Sequence, residues 1–208
     1  MSVEGPRATS LSRRFDDAFL YAHKMHRNQR RKKTERPYIS HLMGVASIVL
    51  QYGGDEDQAI AALLHDVVED CGGAARLEEI REKFGDNVAR LVDGCTDTDQ
   101  TPKPPWRARK ESYLQRVAGE KADVLLVSAA DKLYNVREIL MDLRENGPGV
   151  WERFSGRRDG SLWYYRELVK VFQERACGAC AHANERERAL GPLAEELARA
   201  VAELERPG

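Results

Sequence analysis

The sequence has little net charge and no long hydrophobic segment, and these absences exclude several classes of protein. Its 208 residues carry a net charge of −1, so no overall positive field is available to attract nucleic acid. The longest apolar run, around residues 124–130, is far too short to span a bilayer. Residues 1–10 lack the apolar core of a signal peptide. We therefore expect a cytoplasmic protein that binds neither nucleic acid nor membranes.

Cysteine is scarce as well. The four cysteines, Cys71, Cys95, Cys177 and Cys180, form no disulfide framework in a chain of this length. Cys177 and Cys180, followed by His182, resemble half of a structural zinc site. Such a site needs four ligands, and no second pair lies nearby. We interpret the pair as incidental residues near the end of a helix.

The alternation of apolar and polar residues that is typical of β-strands is absent over any useful length. Apolar residues recur at helical spacing instead, beginning with Leu11, Phe15 and Phe19. The usual length of helices then gives about nine or ten of them. The sequence therefore predicts an all-α fold, with a disordered segment at residues 1–10 and a single helical bundle at 11–208. Its core covers about residues 20–175, and its last helix, residues 192–205, serves as a lid or dimer surface.

The polar residues of greatest interest lie inside one of the predicted apolar helices. His65 and Asp66 interrupt the segment Leu63–Val68. Glu69 and Asp70 follow one turn later, on the same helix faces as His65 and Asp66. Burial of so much charge is costly unless a partner compensates for it. A divalent cation is the simplest such partner.

Two other predicted core helices contribute His41 and Asp131. Each residue has an ordinary alternative: the histidines could be hydrogen-bonded in the core, Asp66 could pair with Lys132 or an arginine, and Asp131 could cap a helix. All four polar groups must nevertheless be satisfied within one apolar interior. Two imidazoles and two carboxylates suit Mn²⁺, Fe²⁺ or Zn²⁺. We therefore predict one divalent metal site formed by His41, His65, Asp66 and Asp131, with positions left for water and substrate.

Three motifs, in order along the chain, give it a resemblance to a known family. They are His26–Lys32 followed by Pro37–His41, then His65–Asp70, and then Asp131–Arg137. Their order and spacing resemble those of HD-domain phosphohydrolases. The closer resemblance is to the hydrolase domains of RelA/SpoT homologues and to the small alarmone hydrolases, over residues from about 20 to 145. It implies an HD-type helical bundle.

The resemblance also implies a role for each residue of the motifs. The counterparts of the family's Mn²⁺ ligands are His41, His65, Asp66 and Asp131. The counterparts of its catalytic pair are Glu69 and Asp70. Acids at the end of a helix oppose the helix dipole, and this unfavourable placement favours a function for the pair.

Basic residues in the chain fit a polyanionic nucleotide as substrate. By resemblance, Arg31 packs on the guanine base, Lys32 lies near a phosphate, and Asn135 contacts the ribose. A planar guanidinium can stack on a base, whereas an ammonium group cannot. Four cations close to the predicted loop at residues 94–105 could hold the far phosphates or could simply be solvated; they are Lys103, Arg107, Arg109 and Lys110.

The resemblance implies Mn²⁺-dependent removal of the 3′-pyrophosphate from guanosine 3′,5′-bis(diphosphate), (p)ppGpp, to give GDP or GTP and pyrophosphate. Two alternatives stay open at this point. One is an HD hydrolase of another phosphorylated nucleotide, such as an adenosine analogue or a nucleoside monophosphate. The other is a non-catalytic nucleotide sensor, which the presence of both Glu69 and Asp70 disfavours. Whether the protein is a homodimer is also open.

Overall fold

The computed structural model describes residues 9–32, 34–98, 100, 102–178 and 185–206. Over these residues the chain forms ten α-helices and one 3-10 helix, and its β-structure is limited to one isolated bridge between Arg30 and Pro37. The α-helices are α1 (Arg13–Met25), α2 (Ile39–Gln51), α3 (Glu56–Leu64), α4 (Val67–Cys71), α5 (Ala74–Phe84), α6 (Asp86–Cys95), α7 (Trp106–Gly119), α8 (Ala122–Asn146), α9 (Arg157–Gly178) and α10 (Glu185–Glu205). The 3-10 helix covers Pro148–Arg153. The prediction of an all-α fold is confirmed.

Helix α8 lies at the centre of the bundle. Its first two turns, Val124–Ala130, are buried on all sides, as expected of a helix that is apolar around its whole circumference. It packs against α2, α3, α6, α9 and α10. Asp131 therefore enters the middle of the core on a helix that is held by several neighbours.

Local sequence fixes how α3 begins. The Asp55 carboxylate accepts a hydrogen bond from the Gln58 backbone N–H at 2.9 Å, and the Gln58 side-chain oxygen accepts one from the Asp55 N–H at 3.0 Å. This reciprocal pair is a capping box, and the spacing of the two residues predicts it. The box sets the register of the helix that leads to His65.

The structure differs from the prediction at the end of α3. The expected continuous helix is broken, because α3 ends at Leu64 and α4 begins at Val67, with His65 and Asp66 between them. The His65 Nδ1–H donates to the Ala62 carbonyl at 2.9 Å. This carbonyl is the one that the Asp66 N–H would use in a continuous α-helix, so a side chain competes with the backbone at the break.

The C-terminal helix α10 also differs, since it begins at Glu185 and contains Pro192 rather than starting there. Most of the predicted disordered segment, residues 1–8, lies outside the described residues, and so do Cys180 and His182. No helix among the described residues is long and apolar enough to cross a membrane. The division into one domain, with a last helix that serves as a lid or dimer surface, stays a prediction.

Candidate metal and nucleotide site

The break between α3 and α4 faces α2 and α8, and the four predicted metal ligands meet there. The Nε2 atoms of His41 and His65 are 3.3 Å apart. Asp66 Oδ2 lies 3.4 Å from the His41 Nε2 and 3.0 Å from the His65 Nε2. Asp131 Oδ1 lies 3.3 and 3.6 Å from the same two nitrogens. Four side chains from three separate parts of the chain thus share one centre.

The donor set at this centre fits a divalent cation. Because the His65 Nδ1–H donates to a carbonyl, Nε2 is the ring atom that faces the carboxylate oxygens, and a cation can bind it in place of its proton. The converging carboxylates need positive charge beside them, which either a protonated imidazole or a bound cation supplies. His41, His65 and Asp66 each place one potential coordinating atom within 4.8 Å of those of the other two residues. Nitrogen and oxygen donors without thiolate suit Mn²⁺, Fe²⁺ or Zn²⁺.

The charges at the centre are strongly coupled. Burial opposes protonation of His65, but the Asp66 and Asp131 carboxylates outweigh it and raise the pKa of the imidazole well above its usual value. Burial likewise opposes ionisation of Asp66, yet the neighbouring imidazoles hold the pKa of this carboxyl well below its usual range. Lys132 is the main cause of the lowered pKa of Asp131, again against the effect of burial. The centre therefore favours ionised carboxylates.

Two polar side chains hold the carboxylates in place. The Tyr38 hydroxyl donates to Asp66 Oδ2 at 2.6 Å. The Asn135 Nδ2 donates to Asp131 Oδ1 at 2.5 Å. The family resemblance implies that Asn135 contacts the ribose, and it implies no role for Tyr38. In the sequence, the feature that could have indicated this role for Tyr38 is its position one helical turn before His41.

Glu69 and Asp70 lie on α4, one turn beyond the metal centre, at the wall of a cavity of about 530 Å³. Lys103 Nζ lies 2.8 Å from Glu69 Oε1 and 3.8 Å from Asp70 Oδ1. The Gln29 Nε2 donates to Asp70 Oδ2 at 2.8 Å. The two acids are thus partly exposed, face the cavity, and have donors that fix their orientation.

Arg31 and Asn135 form another wall of the same cavity. The Arg31 guanidinium donates to Glu138 Oε2 from Nε at 2.9 Å and from Nη2 at 2.5 Å, and to Asn135 Oδ1 at 2.6 Å. It also lies over the Tyr38 ring, 5.2 Å from the centroid. The predicted base-stacking residue is therefore held in place by an acid on α8.

A second cavity, of about 250 Å³, adjoins the first and is strongly cationic. The basic residues that line it are Lys32, Arg109, Lys110 and Lys132. The Tyr164 hydroxyl and Arg109 Nε are buried there without a hydrogen-bond partner among the described residues. The carboxylate of Asp97 balances part of the charge, since it accepts from Arg109 and, at 2.9 Å, from Lys110.

The predicted phosphate-binding cations do not all reach these cavities. Arg109 lines the smaller cavity, and its Nη1 lies 4.0 Å from Glu69 Oε1. Lys103 contacts Glu69 and Asp70, the predicted catalytic pair, and does not line either cavity. Arg107 stacks on the Trp163 ring, 3.2 Å from its centroid, and lines neither cavity.

Comparisons with known proteins place the chain in a family. The HD domain model matches residues 18–162. Guanosine-3′,5′-bis(diphosphate) 3′-pyrophosphohydrolase MESH1 of Xenopus tropicalis is 40% identical over 138 residues, which cover 65% of this chain and 72% of that protein. The Drosophila melanogaster MESH1 protein is 36% identical over 165 residues, which cover 78% of this chain and 86% of that protein.

A solved structure gives the same result. It is a metazoan orthologue of SpoT that hydrolyses ppGpp, and it matches with a TM-score of 0.67 and 31% sequence identity, over 91% of this chain and 98% of that one. The motifs, the fold and the relatives agree. The chain therefore belongs to the HD-domain family and, within it, to the small alarmone hydrolases of the RelA/SpoT-homologue type.

Proposed function

We propose that this protein removes the 3′-pyrophosphate from (p)ppGpp in a Mn²⁺-dependent reaction that yields GDP or GTP and pyrophosphate. The observation that carries the proposal is the convergence of His41, His65, Asp66 and Asp131 beside a cavity that is lined by both acids and cations. The activity that the names of its relatives state supports the choice of substrate.

The side chains that would hold the cation are His41, His65, Asp66 and Asp131. When bound, a divalent cation lowers the pKa of a coordinated water and polarises a phosphoryl oxygen. Mn²⁺ is our choice among the metals that such a donor set accepts.

Glu69 and Asp70 are proposed to orient the attacking water and to accept its proton. A general base must lie within hydrogen-bond reach of that proton, and both acids face the cavity one turn from the metal centre. The new bond joins the water oxygen to the 3′-linked phosphorus. The bond that breaks joins this phosphorus to the ribose 3′ oxygen, which takes up a proton as it leaves.

The two cavities provide separate places for the nucleoside and the phosphates. In the larger one, the planar guanidinium of Arg31 is held by Glu138 in an orientation that can stack on a base. Asn135 lies beside Arg31 and the metal centre, as a ribose contact requires. The cations of the smaller cavity, Lys110 and Lys132, would neutralise phosphate charge close to the scissile bond.

The test uses purified protein that has been stripped of metal and resupplied with Mn²⁺, with pyrophosphate and orthophosphate measured separately. We expect release of pyrophosphate from guanosine 3′,5′-bis(diphosphate), and little product from an adenosine analogue or a nucleoside monophosphate. Glu69→Gln should lower kcat by about 10²–10⁴-fold. The matched control is Glu78→Gln, at an exposed acid on α5, and it should leave kcat unchanged. The absence of pyrophosphate release by the wild type would reject the proposal.

A further inference from the structure

His26 is a buried histidine that the proposed chemistry does not use. It follows the last residue of α1 and is only 2% exposed. Its ring stacks on that of Tyr38, with centroids 4.9 Å apart and planes 15° apart. His23, three residues earlier on α1, is exposed to solvent instead. Its burial and its specific neighbours indicate that this imidazole holds part of the structure in place.

A hydrogen-bond chain joins His26 to the catalytic pair. The His26 Nδ1 lies 2.6 Å from Gln29 Oε1, and the Gln29 Nε2 lies 2.8 Å from Asp70 Oδ2. The backbone of Gln29 is fixed at both ends, because its N–H donates to the His26 carbonyl and its carbonyl accepts from the Tyr38 N–H, each at 3.0 Å. Rotation of the Gln29 side-chain amide is therefore the main freedom left in the chain.

The direction of each hydrogen bond follows from the groups at the two ends. A carboxylate only accepts hydrogen bonds, so Gln29 must turn its NH₂ group towards Asp70. The amide oxygen then faces His26 and can only accept, so the proton of His26 must be on Nδ1. If His26 could not donate from Nδ1, the amide could flip and turn its oxygen towards the carboxylate. Two acceptors would then face each other, and Asp70 would lose its orientation.

We propose that His26 is a positioning residue that holds the Gln29 amide in one orientation and thereby fixes the Asp70 carboxylate for catalysis. The inference rests on the proposed function only in giving Asp70 a catalytic role. The tautomer of His26 and the orientation of the Gln29 amide can be measured independently of any activity.

The kinetic test compares substitutions that keep or remove the Nδ1–H donor. The amide nitrogen of His26→Asn can occupy the place of Nδ1, whereas that of His26→Gln corresponds to Nε2, and His26→Phe keeps only the ring. We expect the last two to lower kcat by about 10–100-fold, the range for residues that orient an active-site ligand, with KM within twofold. His26→Asn should recover at least a third of the wild-type kcat. The control, His23→Asn, should change neither constant.

Gln29→Leu and Gln29→Glu test the same chain with His26 intact, in case the substitutions at His26 unfold the protein. Both should lower kcat as His26→Phe does, because the first lacks the amide and the second turns a carboxylate towards Asp70. If His26→Asn and His26→Phe were equally impaired, or if Gln29→Leu kept the wild-type kcat, the inference would be overturned.

A spectroscopic test separates this inference from the proposed function. The chain has five histidines, and ¹⁵N NMR of the wild type and of His26→Phe assigns the signals of His26. We expect the proton on Nδ1, and we expect that signal to be lost or to exchange rapidly in Gln29→Leu. A proton on Nε2 would refute the hydrogen-bond chain whatever the activity. A proton on Nδ1 in a protein that releases no pyrophosphate would refute the proposed function alone.

Discussion

Tyr38 provides a direct test of how the proposed metal centre is held. Its hydroxyl donates to Asp66 Oδ2 at 2.6 Å, a length typical of an O–H donor on a charged carboxylate. Burial and the Asp66 charge raise the pKa of Tyr38 far above its usual value, so the hydroxyl stays protonated and always donates. A hydrogen bond to a charged group contributes about 1.5–3 kcal/mol. At 1.4 kcal/mol for each factor of ten, Tyr38→Phe should weaken Mn²⁺ binding by roughly 10–100-fold.

The assay is calorimetric titration of Mn²⁺ into metal-free protein, followed by kcat at saturating Mn²⁺. We expect a weaker Kd for Tyr38→Phe and a kcat that recovers to within a few-fold, because the substitution leaves the coordinating atoms in place. Tyr134→Phe is the matched control, since the Tyr134 ring also packs edge-on against His41, with centroids 5.2 Å apart, but no hydrogen bond joins its hydroxyl to a predicted ligand. A Kd for Tyr38→Phe within twofold of the wild type would refute this reasoning.

Two further predictions concern stability. Gly44→Ala should destabilise the protein by about 1–3 kcal/mol in denaturant unfolding, because a methyl group on α2 would overlap the Tyr134 ring; a gain in stability, which helix propensity alone predicts, would contradict the packing. Asp97→Asn should cost about 3 kcal/mol, since it removes the partner of the largely buried Arg109 and Lys110. Burial raises the pKa of Asp97, but Lys110 and Arg109 lower it below its ordinary value of 3.8. The stability that the wild-type carboxylate provides is therefore complete above that pH and is lost as the pH falls through the lower folded-state pKa. Thermal unfolding at pH 7 and pH 3 should show a smaller difference between wild type and Asp97→Asn at the lower pH.

The helices, and the inward direction of the side chains that meet at the candidate metal centre, could be predicted because both depend on local pattern. Helical spacing of apolar residues directs His41 and Asp131 inward whatever their partners are. The break at His65 could not be predicted in the same way. It involves a side chain that competes with the backbone for the Ala62 carbonyl, and periodicity contains no information about that competition.

Long-range pairing of charges is the other part that the sequence leaves open. Lys103 and Arg107 lie in one basic stretch, yet one contacts Glu69 and the other stacks on Trp163. Each partner is distant in sequence, and a cation at the start of a helix can reach several neighbours. Composition predicts that such residues are charged and near the surface, but only the packing of α7 against α9 decides which of them line a cavity.

One face of α8 carries residues of both the proposed metal centre and the proposed base-binding site. Asp131, Asn135 and Glu138 are spaced at helical intervals, so they lie on the same side of the helix, with about 10 Å along the axis between the first and the last. Asp131 lies at the metal centre, and Glu138 holds Arg31. The segment that contains Arg31 also contains Tyr38, which supports the other carboxylate of the metal centre. A shift of this segment along α8 would therefore move the Arg31 guanidinium and the support of Asp66, a proposed metal ligand, together. In the proposed complex, α8 rather than the basic segment would therefore set the distance between the base and the scissile phosphate.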